Sequence, residues 1–240
     1  MATDGQKDSI RATVLQAVST QLQTMTFDDA EQMIDNPKEV NGLVGKIFEP
    51  FVRTKSVLYW LDEMTRFYGE VFGLECDFPN IRVPISREGF DWLLIMDERI
   101  STQAAYEACQ KQFNCWKYTD RSLDDAVPVN DRDQSKGTYA IWLRDTVEAD
   151  EVHRNKSAND LKAANISGIT LRERLILELW YFWKTQKHLD VQNWTLCSGS
   201  RYDDGDVPSV GWGSDGSRVD VIWFRPDGRD DSLRVREVVS

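Results

Sequence analysis

The sequence predicts an α+β fold, on three observations. Residues up to about 75 carry apolar side chains at helical spacing. Between residues 80 and 190, short apolar runs alternate with helical ones. From Asn193 onward, short strand-like runs are separated by the turn-forming clusters "DDGD", "GSDGS" and "PDGRDD". The expected organisation is a helical N-terminal region over residues 1–80 and a second domain over residues 81–240. A chain of 240 residues is long enough for one large domain with such an appendage.

In the N-terminal region, "DSIRATVLQAVSTQLQTM" sets Ile10, Val14, Val18 and Leu22 on one helical stripe, with Asp8 or Ser9 as cap. "TFDDAEQMI" begins a second helix, with Thr26 as cap and acidic residues in the first turn. "SVLYWLDEMTRFYGEVF", Ser56 to Phe72, is a third, amphipathic and rich in aromatics. No Pro/Gly/Ser linker follows it.

Beyond residue 80 the texture changes. "FDWLLIMDERI" reads as a buried strand, and "STQAAYEACQKQF" as a helix with a Ser-Thr cap. "NCWKYT" is a further strand. A polar stretch then leads to "TYAIWLRDTV", where Tyr139, Ile141 and Leu143 alternate with Ala140, Trp142 and Arg144. The polar insertion at 145–168 holds one short helix. "ITLRERLILELWYFWKTQKH" is the clearest helix: Thr170 and Glu173 form a capping box, and Leu171, Leu175, Leu179 and Phe182 line one side. Ile176 and Trp183 widen that stripe. Four strand-like runs follow: "NWTLCSGS", "PSVGW", "RVDVIWF" and "SLRVREVV".

Composition narrows the function classes. Hydrophobic content of 41% and aromatic content of 11% describe a folded chain with a well-filled aromatic core or an aromatic surface. A net charge of -11, with Arg and Lys scattered among carboxylates, argues against nucleic acid as partner. No run approaches a membrane span or a secretory signal, so a cytoplasmic or virion-associated location is expected. Cys76, Cys109, Cys115 and Cys197 fall at no metal-binding spacing and are expected as reduced thiols.

Catalytic motifs are missing: there is no GxSxG, P-loop, GxGxxG or HExxH. His153 lies in the polar insertion, and His188 at a helix end, where it serves the helix dipole. The Asp-rich "YDDGD" and "PDGRDD" lack EF-hand spacing and are read as turns. The expectation is therefore a non-enzyme, with no catalytic residue, metal or cofactor assigned.

"RVDVIWF", Arg218 to Phe224, is the unusual strand. Val219, Val221 and Trp223 share one face and suit a core. The other face mixes Arg218 and Asp220 with Ile222 and Phe224, which suits neither core nor ordinary solvated surface.

The order of elements from about residue 85 resembles the C-type-lectin-like fold. "GITLRERLILELWYFW", then "WTLCSGSRY", then "LRVREVVS", looks like the second helix and closing sheet of its bacterial and phage members. The tail is similar to variable proteins of diversity-generating retroelements. The calcium- and sugar-binding motifs of animal lectins are missing, and "RPDG" only partly echoes them. The resemblance implies a rigid frame of Val219, Val221, Trp223, Leu233 and Val235. It implies a display surface of Arg218, Asp220, Ile222, Phe224 and Arg225, joined by Tyr202, Asp203, Gly211, Gly213, Ser214, Arg229 and Asp230. The partner implied is a protein or other surface macromolecule of unstated identity. Three alternatives stand beside it. Ile222 and Phe224 could be covered by the N-terminal helices or the 145–168 insertion. The chain could be a carboxylate- or metal-dependent hydrolase, or a structural virion-associated module assembled through its N-terminal helices.

Overall fold

The third N-terminal helix is present as α1 (Val57–Phe72) in a computed structural model that describes residues 57–78, 81–213 and 217–240, with isolated positions Thr13, Gln16, Thr20, Thr26 and Asp35. The two earlier helices expected from the sequence fall outside the described residues. In α1, Trp60, Glu63, Met64, Phe67 and Tyr68 are buried, which is the three-and-four spacing of a single helical face. The helix stops at Gly73, whose φ of 66° is the left-handed conformation that favours glycine at a helix end.

The remaining elements alternate in the way the sequence implies. β1 (Trp92–Met96) is buried throughout and pairs antiparallel with β4 (Tyr139–Leu143). Between them lie α2 (Thr102–Gln112), β2 (Cys115–Lys117), α3 (Leu123–Ala126) and β3 (Val129–Asn130). The Ser101 hydroxyl caps α2 by accepting from the Ala104 amide at 3.2 Å. The insertion after β4 carries α4 (Ala158–Ala163). Then come α5 (Leu171–Thr185), β5 (Trp194–Leu196), β6 (Ser200–Arg201), β7 (Val207–Gly213), β8 (Arg218–Phe224) and β9 (Leu233–Arg234). The fold is α+β. No helix among the described residues is long and apolar enough to cross a membrane.

The main sheet has the order β2-β8-β7-β5-β9. β7 is antiparallel to β8 and β5, whereas β2 joins β8, and β9 joins β5, in parallel. β3 and β6 form a small separate pair. The C-terminal residues run back across the domain, with Val239 bonded to Trp142 in both directions at 2.9 and 3.1 Å.

α5 begins with the capping box expected of it: Glu173 accepts from the Thr170 amide at 2.7 Å, and Thr170 accepts from the Glu173 amide at 3.3 Å. One apolar stripe was expected, yet every residue from Leu171 to Tyr181 is buried. Apart from Arg172, the charged side is covered because its charges are matched internally. Arg174 meets Glu178 at 2.7 Å and Asp190 at 2.9 Å, and Arg236 meets the other Asp190 oxygen at 2.8 Å. All these side chains are 2% exposed or less. Such a network holds its positions only while every charge is paired.

Candidate ligand-binding surface

Register fixes which side chains share a face of the main sheet. Asp220 lies opposite Gly211 on β7 and Trp116 on β2, Ile222 opposite Ser209, and Phe224 opposite Val207. Arg218, Asp220, Ile222 and Phe224 therefore share a face with Trp116. Val219 and Val221 point the other way, into the core, and are 1% exposed or less. Trp212 shares that inner face and stacks on His188 with ring centroids 3.7 Å apart. His188 itself meets the Glu178 carboxylate at 2.9 Å, so it belongs to the buried network.

The mixed face divides into two halves. At one end, Phe224 packs on a cluster of Ala158, Leu161, Leu196, Val207, Leu233 and Val235. Ala158 and Leu161 come from α4, so the 145–168 insertion covers Phe224. Phe224 is half-buried against this cluster, as in the covered alternative rather than an open display position. Two of its apolar neighbours come from an insertion whose polar text concealed them.

The other half lies at the β2 edge. Trp116, Tyr118 and Trp223 are 40%, 60% and 38% exposed. Tyr118 contacts Trp116 with centroids 6.3 Å apart and Trp223 at 5.7 Å, both edge-to-face. Because Trp116 and Trp223 belong to opposite faces, this aromatic run wraps around the edge strand. Trp223 was expected inside with Val219 and Val221; at the last turn of β8 it emerges instead. Arg218 lies over the Trp116 ring at 5.3 Å, and its Nε donates to Asp220 at 2.6 Å. Asp220 is only 7% exposed, so it acts from below by fixing the guanidinium over the indole.

Other residues expected in the display set are distributed differently. Tyr202 is buried at 7% exposure rather than displayed. Gly211 and Gly213 are buried as well. A β-carbon on Gly211 would lie 2.8 Å from the Trp194 ring, so the glycine is required by packing rather than by adaptability. Gly211→Ala is expected to destabilise the domain by about 1–3 kcal/mol, measured by urea unfolding. Ser214 lies outside the described residues. Asp203 is exposed and pairs with Arg121 at 2.6 Å, which holds its carboxyl below the usual range. Arg229 makes a two-bond pair with Asp160 at 2.7 and 2.8 Å, and Asp230 caps its own turn through Ser232. Arg225 is exposed, and Ile222 is half-buried. Arg218, Asp220 and Ile222 thus lie together beside β2.

Trp116 and Tyr118 were missed because they sit in "NCWKYT", far from the tail in sequence. Only the parallel pairing of β2 with β8 brings them to Arg218. Their one sequence signal was two aromatics flanking a lysine in a short strand.

Comparison of the chain with protein-family profiles, with curated proteins and with solved structures returns no match.

Two groupings bear on catalysis. Asp150, His153 and Glu237 bring one ligand atom each within 4.8 Å of one another. Arginines already meet their oxygens: Arg144 bonds both carboxylates, and Arg87 bonds Glu237 at 2.6 Å. His153 Nε2 is 3.2 Å from Glu237. This is an ion-pair knot tying the C-terminal segment to the loop after β4. Burial opposes ionisation of Glu237, but hydrogen bonds from Arg87, Arg144 and His153 outweigh it and hold its carboxyl at about 2. A carboxyl lowered on folding contributes stability that is complete above its ordinary value of 4.5 and lost as pH falls through about 2. Glu237→Gln is therefore expected to flatten the fall of melting temperature across that interval; parallel curves would remove Glu237 from the account.

The thiols form the second grouping. All four cysteines are free. Burial first, and then the Asp97 carboxylate, push the Cys76 thiol up to about 11, and burial raises Cys109 and Cys197 as well. A nucleophilic cysteine needs the opposite shift.

Proposed function

We propose that this protein is a non-enzymatic ligand-binding protein whose recognition surface is the β2–β8 edge of its C-terminal sheet. The single observation that carries the reading is the exposed run Trp116–Tyr118–Trp223 beside a pre-oriented Arg218. Aromatic and arginine side chains are the residue types that dominate binding energy at interfaces. Rings contribute large contact area with few torsions to freeze. The partner is a protein surface, which offers apolar groups for the rings and carboxylates for Arg218.

The scaffold is read as C-type-lectin-like, and the chain as the variable protein of a diversity-generating retroelement. In that reading Val219, Val221, Leu233 and Val235 carry the frame, and the exposed Arg218, Trp223, Arg225 and Arg229 carry specificity. The hydrolase alternative asks for converging carboxylates with available oxygens, whereas Asp150 and Glu237 are committed to arginines.

A selection tests the proposal. A library randomised at Arg218, Ile222, Trp223, Arg225 and Arg229 is displayed and selected against immobilised lysozyme. Folded binders that lose binding on Trp116→Ala are expected. A library that yields folded members but no binders, or binders indifferent to Trp116, would count against it.

A further inference from the structure

Arg172, in the first turn of α5, is 4% exposed. Its Nη1 donates to the carbonyls of Asp97 and Ile100 at 3.2 and 2.9 Å, and its guanidinium lies 5.4 Å from the Tyr139 ring centroid. Its Nη2 has no hydrogen-bond partner among the described residues. The other arginines of the interior are different: the buried Arg174 and Arg236 and the half-buried Arg132 each meet a carboxylate. A buried guanidinium cannot shed its proton, so an unmatched one carries a desolvation cost that a bound anion relieves.

Arg172 borders a cleft of about 220 Å³ that Thr102, Asn130, Arg132 and Gln134 also line. The cleft lies where two helices begin. Thr102 is the first residue of α2, an 11-residue helix, and Arg172 is in the first turn of the 15-residue α5. Both helix dipoles present their positive ends there. Asp124 and Asp133 border the same cleft. Asp124 is occupied in accepting from the Ser101 hydroxyl and the Gln103 amide, and Asp133 in accepting from the Ser135 amide.

We infer that this cleft is a binding site for a small oxyanion, a phosphate or carboxylate group, attracted by the buried positive charge of Arg172. The site is separate from the sheet edge and does not depend on the reading given to it.

Thermal unfolding of the whole chain is followed while inorganic phosphate or acetate is added, against sodium chloride at matched ionic strength. A ligand that binds only the folded state raises the melting temperature with its concentration. A saturable rise beyond chloride is expected with one or both anions, and the stronger of the two names the class. Arg172→Gln is expected to weaken it about tenfold or more, because it removes the buried positive charge that attracts the anion. Because Arg172→Gln also removes bonds to two backbone carbonyls, Asp133→Asn gives a second test. It keeps the turn cap, removes a negative charge from the cleft, and is expected to tighten the anion several-fold. A wild-type response no greater than that of chloride overturns the assignment. So does an anion response that Asp133→Asn leaves unchanged.

Discussion

Asp190→Ala is expected to lower folding stability by about 3–5 kcal/mol, the cost of breaking a buried ion pair by removing one partner. Domains of this kind are stable by only about 5–15 kcal/mol in total, so the variant stands near the limit of folding. Asp190 is fully buried and accepts from Arg174, Arg236, the Thr195 hydroxyl and the Ala149 amide. Its loss leaves Arg236 without a carboxylate and Arg174 with Glu178 alone. Those two cations connect α5, the loop after β4, β5 and the C-terminal segment, so the damage spreads beyond one contact. Folding holds the Asp190 carboxyl low: burial opposes ionisation, but the charges of Arg236 and Arg174 overcome it. Its contribution is thus present above the ordinary carboxylate range and disappears in acid. Equilibrium urea unfolding measures the loss. A change below about 1 kcal/mol, the usual range of exposed pairs, would mean that the network is dispensable.

The second large effect belongs to the sheet edge. Trp116→Ala is expected to leave the fold intact, because 40% of the side chain is already in solvent. Against a bound protein it is expected to cost about 2 kcal/mol or more, roughly a thirtyfold loss of affinity. Asp220→Asn is expected to weaken binding less, since it removes the charge that fixes Arg218 but keeps a hydrogen-bond acceptor. Melting temperatures within a few degrees of the parent, with affinity lost, distinguish a binding residue from a core residue. A collapse of the melting temperature in Trp116→Ala would assign the ring to packing.

Much of this fold was legible before any coordinates. The box of Thr170 and Glu173, the Ser101 cap and the β4 strand are local signals, and each formed where the residues specify it, although β4 is buried on both faces rather than alternating. The surroundings of α5 were not legible. A stripe of leucines predicts one buried face, and nothing nearby in sequence announces that Asp190 and Arg236 will neutralise the opposite side. The same limit applied to "RVDVIWF". Period two separated Val219 and Val221 correctly from Arg218 and Asp220, but it could not say what covers either face. Coverage came from α4 for Phe224, and its absence at the end of β8 left Trp223 exposed. Trp116 and Tyr118 reached the site through a parallel pairing across about a hundred residues, which no local pattern encodes.

The most direct test of the central claim is the sequence of the genomic locus. The account predicts a neighbouring reverse transcriptase and a near-copy of the 3′ coding segment. Differences at template adenines should fall on the codons of exposed residues such as Arg218, Trp223, Arg225 and Arg229. The codons of Val219, Val221, Gly211, Leu233 and Val235 should be spared. A complete genome with neither element, or with differences concentrated on those framework codons, would contradict it.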